Sequence, residues 1–268
     1  MIYRFGVLAI LSALAFAAPV QAKTICTLIV DAETGRPVLD QGSCDGRYTP
    51  ASTFKIPLSV MGYDAGVVKD QHAPVFDFQE GDADWGGTEW KKPTDPVRWM
   101  KYSVVWYSQR LTASLGESKL HRYAEQFGYG NADFSGDPGK NNGLERAWIA
   151  SSLKISAREQ VDFLRRLITH QLPVSQAATD NTIAIVGKTK LKDGWTVHGK
   201  TGAAFSRRQD YSYDRDRPWG WFVGWAEKGG RTLIFARLIQ EDRKTKGSAG
   251  IRTRDAFLKE FPALVVTD

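Results

Sequence analysis

Cysteine is nearly absent: Cys26 and Cys44 are the only two in 268 residues. A disulfide-dense mini-scaffold is thereby excluded, and with no CxxC pair so is the usual zinc or thiol-redox motif. The four histidines, His72, His121, His170 and His198, stand far apart and form no HExxH, so no metal is expected. Beyond the N-terminus no long apolar run occurs, which excludes a bundle of membrane-spanning helices. Internal repeats are absent too. Net charge is modest at +6, and even the densest basic stretch, residues 207–217, is interleaved with Asp210, Asp214 and Asp216. Without a basic stripe, no nucleic-acid partner is expected.

What is present begins with an address. Residues 1–22 pass from Arg4 through the apolar stretch 5–18 to Val20-Gln21-Ala22, with a small residue at the cleavage position. This reads as a secretory signal peptide, removed to leave a single soluble domain at residues 23–268 with no further membrane attachment. A periplasmic or secreted location follows, and it places Cys26 and Cys44 where a disulfide is expected. In the chain-entropy picture such a bridge contributes roughly 3 kcal/mol. With 42% hydrophobic residues and nine tryptophans, the mature chain has ample material for a core.

Residues 24–32, rich in β-branched side chains, lead through Glu33-Thr34-Gly35-Arg36-Pro37 into Val38-Leu39, the pattern of a hairpin. Residues 51–65 carry Phe54, Leu58 and Met61 at helical spacing, with Ser52 in the first turn and Pro57 expected to kink the helix. Helical signals dominate from about 66 to 185: Thr94 before Asp95-Pro96 marks one start, Ser156 with Glu159 forms a capping box, and 136–143 reads as a loop. Strands return at 195–201, 219–225 and 231–239, the last two joined by a turn at Lys228-Gly229-Gly230, and a final helix spans 247–259. Strands at both ends around a helical middle predict an α+β fold: an antiparallel β-sheet flanked by helices, with a mostly helical lobe.

Ser52-Thr53-Phe54-Lys55 sets a hydroxyl and an amine three residues apart near a helix start, on one face and within mutual reach. A serine hydroxyl needs such a base, and a helix N-terminus offers N–H groups to a developing oxyanion. Alone the pattern decides little, because Ser151 and Lys154 repeat it. Lys200-Thr201-Gly202, read as a strand end, adds a cation, a hydroxyl and a backbone that a flat ligand can approach. The two motifs in this order, separated by a helical insertion, are the context of a serine acyl-transferase.

Between them stand Ser103-Val104-Val105, Tyr129-Gly130-Asn131, and Trp148 within Ala147-Trp148-Ile149-Ala150; Gly220-Trp221-Phe222-Val223-Gly224-Trp225 follows. Together these resemble the class D β-lactamases, the oxacillinase type of penicillin-recognising serine enzyme, along essentially the whole mature chain. Ser103-Val104-Val105 replaces the Ser-Asp-Asn of class A enzymes and puts an apolar residue where a polar one would stand. The resemblance implies a fold of the β-lactamase and transpeptidase kind and hydrolysis of small-molecule β-lactam substrates through an acyl-enzyme on Ser52. It implies that Val105 and Trp148 dry the pocket around Lys55, so that a neutral amine takes up carbon dioxide, or its bicarbonate source, as an N-carboxylysine carbamate; Trp148 would donate its indole N–H to it. Apart from that carbamate no cofactor is expected. Ser103 would relay a proton to the departing nitrogen, and the backbone N–H groups of Ser52 and Ala203 would form the oxyanion hole. Lys200 would supply positive potential, Thr201 and Gly202 would line the substrate, and Arg252, with Arg254 as the alternative, would hold its carboxylate. Tyr129 and Asn131 read as architectural supports.

Three rival readings share parts of these motifs. Residues 194–201 match the phosphate-loop pattern GxxxxGK[ST], but their strand-forming residues and the missing following helix argue against a nucleotide site. A cell-wall transpeptidase or carboxypeptidase, and a β-lactam sensor domain, would keep the fold and acylate without turnover. The pair Val105 and Trp148 argues against the former, and the absence of preceding spanning segments against the latter.

Overall fold

The computed structural model describes residues 22–266. Strand β1 (Ala22–Asp31) turns through residues 32–36 into β2 (Pro37–Gly42), and the Cys26–Cys44 disulfide ties the middle of β1 to the segment leaving β2. β3 (Lys188–Lys190), β4 (Thr196–Arg207), β5 (Tyr213–Lys228) and β6 (Arg231–Glu241) complete a six-stranded sheet of order β2-β1-β6-β5-β4-β3, antiparallel throughout. The expected secretory signal lies outside the described residues except for Ala22, which already belongs to β1. Among the described residues no helix is long and apolar enough to cross a membrane.

The helices are α1 (Lys55–Asp64), α2 (Pro96–Tyr102), α3 (Val105–Leu115), α4 (Glu117–Phe127), the single turn α5 (Gly143–Arg146), α6 (Ala157–Ile168), α7 (Gln176–Ile185) and α8 (Ala249–Leu264). This is the α+β arrangement the sequence predicts. α6 starts at the anticipated capping box, Ser156 accepting from the Glu159 N–H and Glu159 from the Ser156 N–H. At α2 the cap is Asp95 rather than Thr94: the Asp95 carboxylate accepts from the Arg98 N–H at 2.7 Å, while Thr94 pairs its backbone with Phe76. Pro57 does not kink α1. The helix becomes α-helical only at Lys55, so Pro57 lies in its first turn, where a backbone N–H would have no intrahelical partner to lose.

Side-chain alternation along the sheet divides the core. Trp221, Val223 and Trp225 of β5 join Ile234, Ala236 and Leu238 of β6 on the face covered by α6 and the turn at 51–54. Phe222 and Ala226 join Leu233 and Phe235 on the opposite face, against Phe257 and Phe261 of α8. Burial of each such aromatic ring contributes roughly 1.5–3 kcal/mol, and Phe235 stacks on Phe257 with ring centroids 4.4 Å apart. β5 and β6 turn at Gly229 and Gly230, whose φ values of 56° and 82° suit the hairpin turn expected there.

Two strands outrun their predicted ends. β4 continues from Thr201 to Arg207, and β5 begins at Tyr213, so the charged stretch is the far end of a long hairpin rather than a free loop. Arginine–aspartate pairs neutralise it: Arg217 with Asp214 at 2.9 Å and Arg207 with Asp137 at 2.8 Å. Lys200 therefore sits mid-strand, and residues 194–201 run into more strand, which a phosphate loop cannot do.

Candidate active site

Ser52 lies in a short 3-10 turn, Ala51–Phe54, that feeds directly into α1. Ala51 before it takes a φ of 50°, left-handed for a residue with a side chain, which costs on the order of 1–3 kcal/mol and must be held by its surroundings. Thr53 is one holder: its hydroxyl donates to the Pro50 carbonyl at 2.8 Å and accepts from the Gln160 side-chain amide at 3.2 Å. Gly202 of β4 is the other. A β-carbon there would stand 2.7 Å from the Pro50 carbonyl oxygen, and one on Gly250 of α8 would stand 2.4 Å from the Gly202 carbonyl oxygen. Strand β4 is thus clamped between the serine turn and α8 with no room for side chains.

Lys55, three residues beyond Ser52, is 1% exposed, and its Nζ has no hydrogen-bond partner among the described residues. Burial, seconded by the nearby cation Lys200, pushes its pKa well below the ordinary lysine value. The amine is thus desolvated and makes no hydrogen bond to Ser52. Phe54, next to it, stacks on Trp148 with centroids 5.4 Å apart and packs against Tyr129 and Phe134. Val105, at the start of α3, is 6% exposed and Trp148 1%.

Ser103 joins α2 to α3 in a left-handed conformation, φ 60°, and accepts a hydrogen bond from Lys200 Nζ at 3.0 Å; the same ammonium donates to the Thr201 carbonyl at 3.1 Å. Lys200 is itself only 5% exposed, and burial together with the neighbouring Arg254 lowers its pKa to about 7. Strand β3 pairs with β4 only at 196–198, so from Lys200 onward one edge of β4 carries no strand partner among the described residues. Thr201 and the exposed Ala203 lie on that open stretch. An open backbone edge beside a serine turn can hold an extended amide or lactam.

The structure sets the two candidate arginines, Arg252 and Arg254, in different surroundings. The Arg252 guanidinium forms a bidentate pair with Glu241, Nε to Oε1 at 2.6 Å and Nη2 to Oε2 at 2.8 Å, and donates to the Lys246 carbonyl at 2.7 Å. Arg254 instead lines a groove with Lys200 and Thr201. Helix phase explains the difference: Gly250 faces Gly202, Arg254 one turn later shares that face, and Arg252 points away from it. Tyr129 is buried against Phe54 and Phe163. The Asn131 side chain donates to the Ser152 carbonyl at 2.9 Å and accepts from the Lys154 N–H at 2.8 Å, bracing the segment that follows Trp148.

Thr49 carries a role that sequence reasoning missed. Its hydroxyl donates to the Trp148 carbonyl at 2.8 Å and accepts from the Ala150 N–H at 3.1 Å, while its carbonyl accepts from the Trp221 indole at 3.0 Å. One residue thereby fixes the strand, the serine turn and the tryptophan segment together. No local pattern announces it. Among the described residues no group of three or more His, Cys, Asp or Glu side chains is arranged to hold a metal ion.

A half-buried serine with a buried lysine three residues on at a helix start, a lysine on an open strand edge and a serine bridging two helices define a penicillin-recognising serine enzyme. Residues 19–262 match the penicillin binding protein transpeptidase domain family. The chain is 42% identical over 240 residues to β-lactamase OXA-9 of Klebsiella pneumoniae, covering 90% of this chain and 88% of the relative. It is 37% identical to β-lactamase OXA-1 of Escherichia coli over 232 residues, 85% of this chain and 80% of the relative. The crystal structure of the class D β-lactamase OXA-427 superposes with a TM-score of 0.82 at 45% identity, covering 89% of this chain and 97% of that one. The chain belongs to the class D serine β-lactamases.

Proposed function

We propose that this chain hydrolyses β-lactam antibiotics through a covalent acyl-enzyme on Ser52. The observation that carries the reading is Lys55 Nζ, fully buried, unpartnered and held toward its neutral form three residues from the serine. A neutral, desolvated amine without a partner is chemically suited to carbon dioxide, and its orphaned nitrogen fits a carbamate. When present on Lys55, that group supplies a general base for the Ser52 proton and for the deacylating water.

The remaining steps follow from the chain's own residues. Ser52 Oγ attacks the lactam carbonyl, whose oxygen is received by the N–H groups of Ser52 and Ala203. The carbonyl–nitrogen bond breaks to leave an ester on Ser52, and Ser103, hydrogen-bonded to Lys200, passes a proton to the leaving nitrogen. Water then cleaves the ester, releasing a carboxylic acid and restoring the serine hydroxyl. Lys200, Thr201 and Arg254 receive the substrate carboxylate. Val105 and Trp148 keep bulk water from Lys55, and Thr49 positions Trp148.

Export to an oxidising compartment agrees with the Cys26–Cys44 bridge. Repeated turnover of a chromogenic cephalosporin by the protein supports the reading. A single burst equal to the enzyme concentration, leaving a stable adduct on Ser52, overturns it in favour of a sensor or wall transpeptidase.

A further inference from the structure

A groove of about 430 Å³ leads away from the catalytic cluster along the β4 edge. It shares Lys200 and Thr201 with that cluster and continues past the end of α2 and the segment 184–189. Its floor is apolar, for Met100, Val197 and Phe222 are all buried. Its rim is cationic. Lys101 and Lys188 join Lys200 and Arg254 in the lining, and no aspartate or glutamate is among the lining residues.

The four cations are unequally engaged. Lys200 donates to Ser103 and to the Thr201 carbonyl, and Arg254 pairs with Asp255, which does not line the groove. Lys101 and Lys188 are left over. Both are exposed, and neither forms an ion pair with an acidic side chain among the described residues. Lys101 rests over the Tyr102 ring, 5.1 Å from its centroid. Strand pairing sets Lys188 opposite His198, and His198 and Lys200 alternate onto one face of β4, so Lys188 and Lys200 rise on the same side of the open edge. A groove whose walls carry one sign of charge above a low-dielectric floor concentrates its field on an anion.

We propose that this groove is a second anionic subsite, taking a negatively charged substituent carried next to the carboxylate of a cephalosporin. The inference rests on the hydrolase reading, which puts that carboxylate at Lys200, Thr201 and Arg254. In a cephalosporin nucleus the ring carbon that bears the variable arm is bonded to the carbon that bears the carboxylate, so the arm extends from the carboxylate into the groove. A heterocycle on the arm lies against Met100 and Phe222, and its anionic end meets the Lys101 and Lys188 ammonium groups.

The test uses a matched pair, cefamandole and cefonicid, which share the acyl side chain and differ by a sulfonate on the tetrazole of the variable arm. Titration calorimetry of Ser52→Ala, which cannot form the ester, reads binding without turnover, and wild-type kinetics read KM. Expected is tighter binding of cefonicid by about fivefold or more, the scale of two exposed charge contacts, shrinking as salt is raised. The advantage should disappear when Lys101→Gln and Lys188→Gln are combined, with cefamandole affinity unchanged. Combining Lys119→Gln and Lys140→Gln, an equal loss of charge at exposed lysines outside the lining, should leave it intact. No measurable binding of cefonicid, equal affinities, an advantage that survives the groove substitutions, or one lost equally in the control pair overturns the proposal. If the wild type turns over neither cephalosporin, it is the hydrolase reading that fails, and the calorimetric comparison still decides this one.

Discussion

Gly202 and Pro50 approach so closely that a β-carbon on the glycine would stand 2.7 Å from the proline carbonyl oxygen. The contact joins the substrate strand to the serine turn, so the position of Ser52 relative to Lys200 and Ala203 is set by the absence of a side chain. Gly202→Ala must push the turn away from β4. A misplacement near 1 Å can cost about a hundredfold in rate, and overpacking costs roughly 1–3 kcal/mol in stability. Steady-state kinetics should show kcat/KM falling by about that factor while the variant still unfolds cooperatively. Unchanged kinetics would mean that the turn adapts.

The two arginines of α8 should fail differently. Arg254→Ala should raise KM for anionic β-lactams by about tenfold or more, the expected loss of a charge-assisted contact, with little change in melting temperature. Arg252→Ala should instead lower stability by about 3 kcal/mol, because it leaves Glu241, 1% exposed, as a buried carboxylate without its partner. Chemical denaturation beside steady-state kinetics separates the two, and the reverse pattern would return the carboxylate to Arg252.

Lys200 ties activity and stability to pH. Because burial, with Arg254 nearby, lowers its pKa to about 7, the unfolded chain holds that proton more tightly than the folded one. The cost of the buried ammonium is present in full below pH 7 and is relieved as pH rises toward the ordinary lysine value of 10.5. Stability relative to Lys200→Met should therefore gain with pH across that window, by on the order of a few kcal/mol in all. Over the same range kcat/KM for anionic substrates should fall as the positive charge is lost, with a basic limb near 7. A flat difference between the two proteins would show that Lys200 keeps its proton throughout.

Thr49→Val removes the hydroxyl that holds the Trp148 carbonyl and the Ala150 N–H while preserving shape. Trp148 should lose its fixed placement, and the bicarbonate concentration needed for half-maximal activity should rise about tenfold, within the range that supporting hydrogen bonds commonly command. Added bicarbonate should restore kcat. Failure of saturating bicarbonate to rescue the variant would point to a purely structural role.

The parts of the site that were legible in the sequence are those fixed by short-range spacing. Ser52 and Lys55 share a helix face because three residues separate them, and Lys200, Thr201 and Gly202 are consecutive on one strand. The capping box at Ser156 is equally local, and so is the Gly229-Gly230 turn. What escaped depends on tertiary placement. Arg252 and Arg254 differ by half a turn of α8, and only the docking of Gly250 on Gly202 decides which one faces Lys200. The extent of β4 was hidden because its far end is a charged ribbon whose arginines find aspartates on neighbouring segments, such as Asp137. Pro57 looked disruptive because the 3-10 turn ahead of α1, which moves the proline into the first helical turn, leaves no separate mark in the sequence. Thr49 is an ordinary residue before a proline until Trp148 and Trp221 arrive from 99 and 172 residues away.

The measurement closest to the central claim is a carbon-13 spectrum of the protein in labelled bicarbonate, recorded beside turnover of a chromogenic cephalosporin. A single protein-bound carbamate resonance, absent from Lys55→Ala and fading together with activity as bicarbonate is withdrawn, is the predicted result. Full turnover without that resonance, or undiminished turnover by Lys55→Ala, would contradict the role given to Lys55.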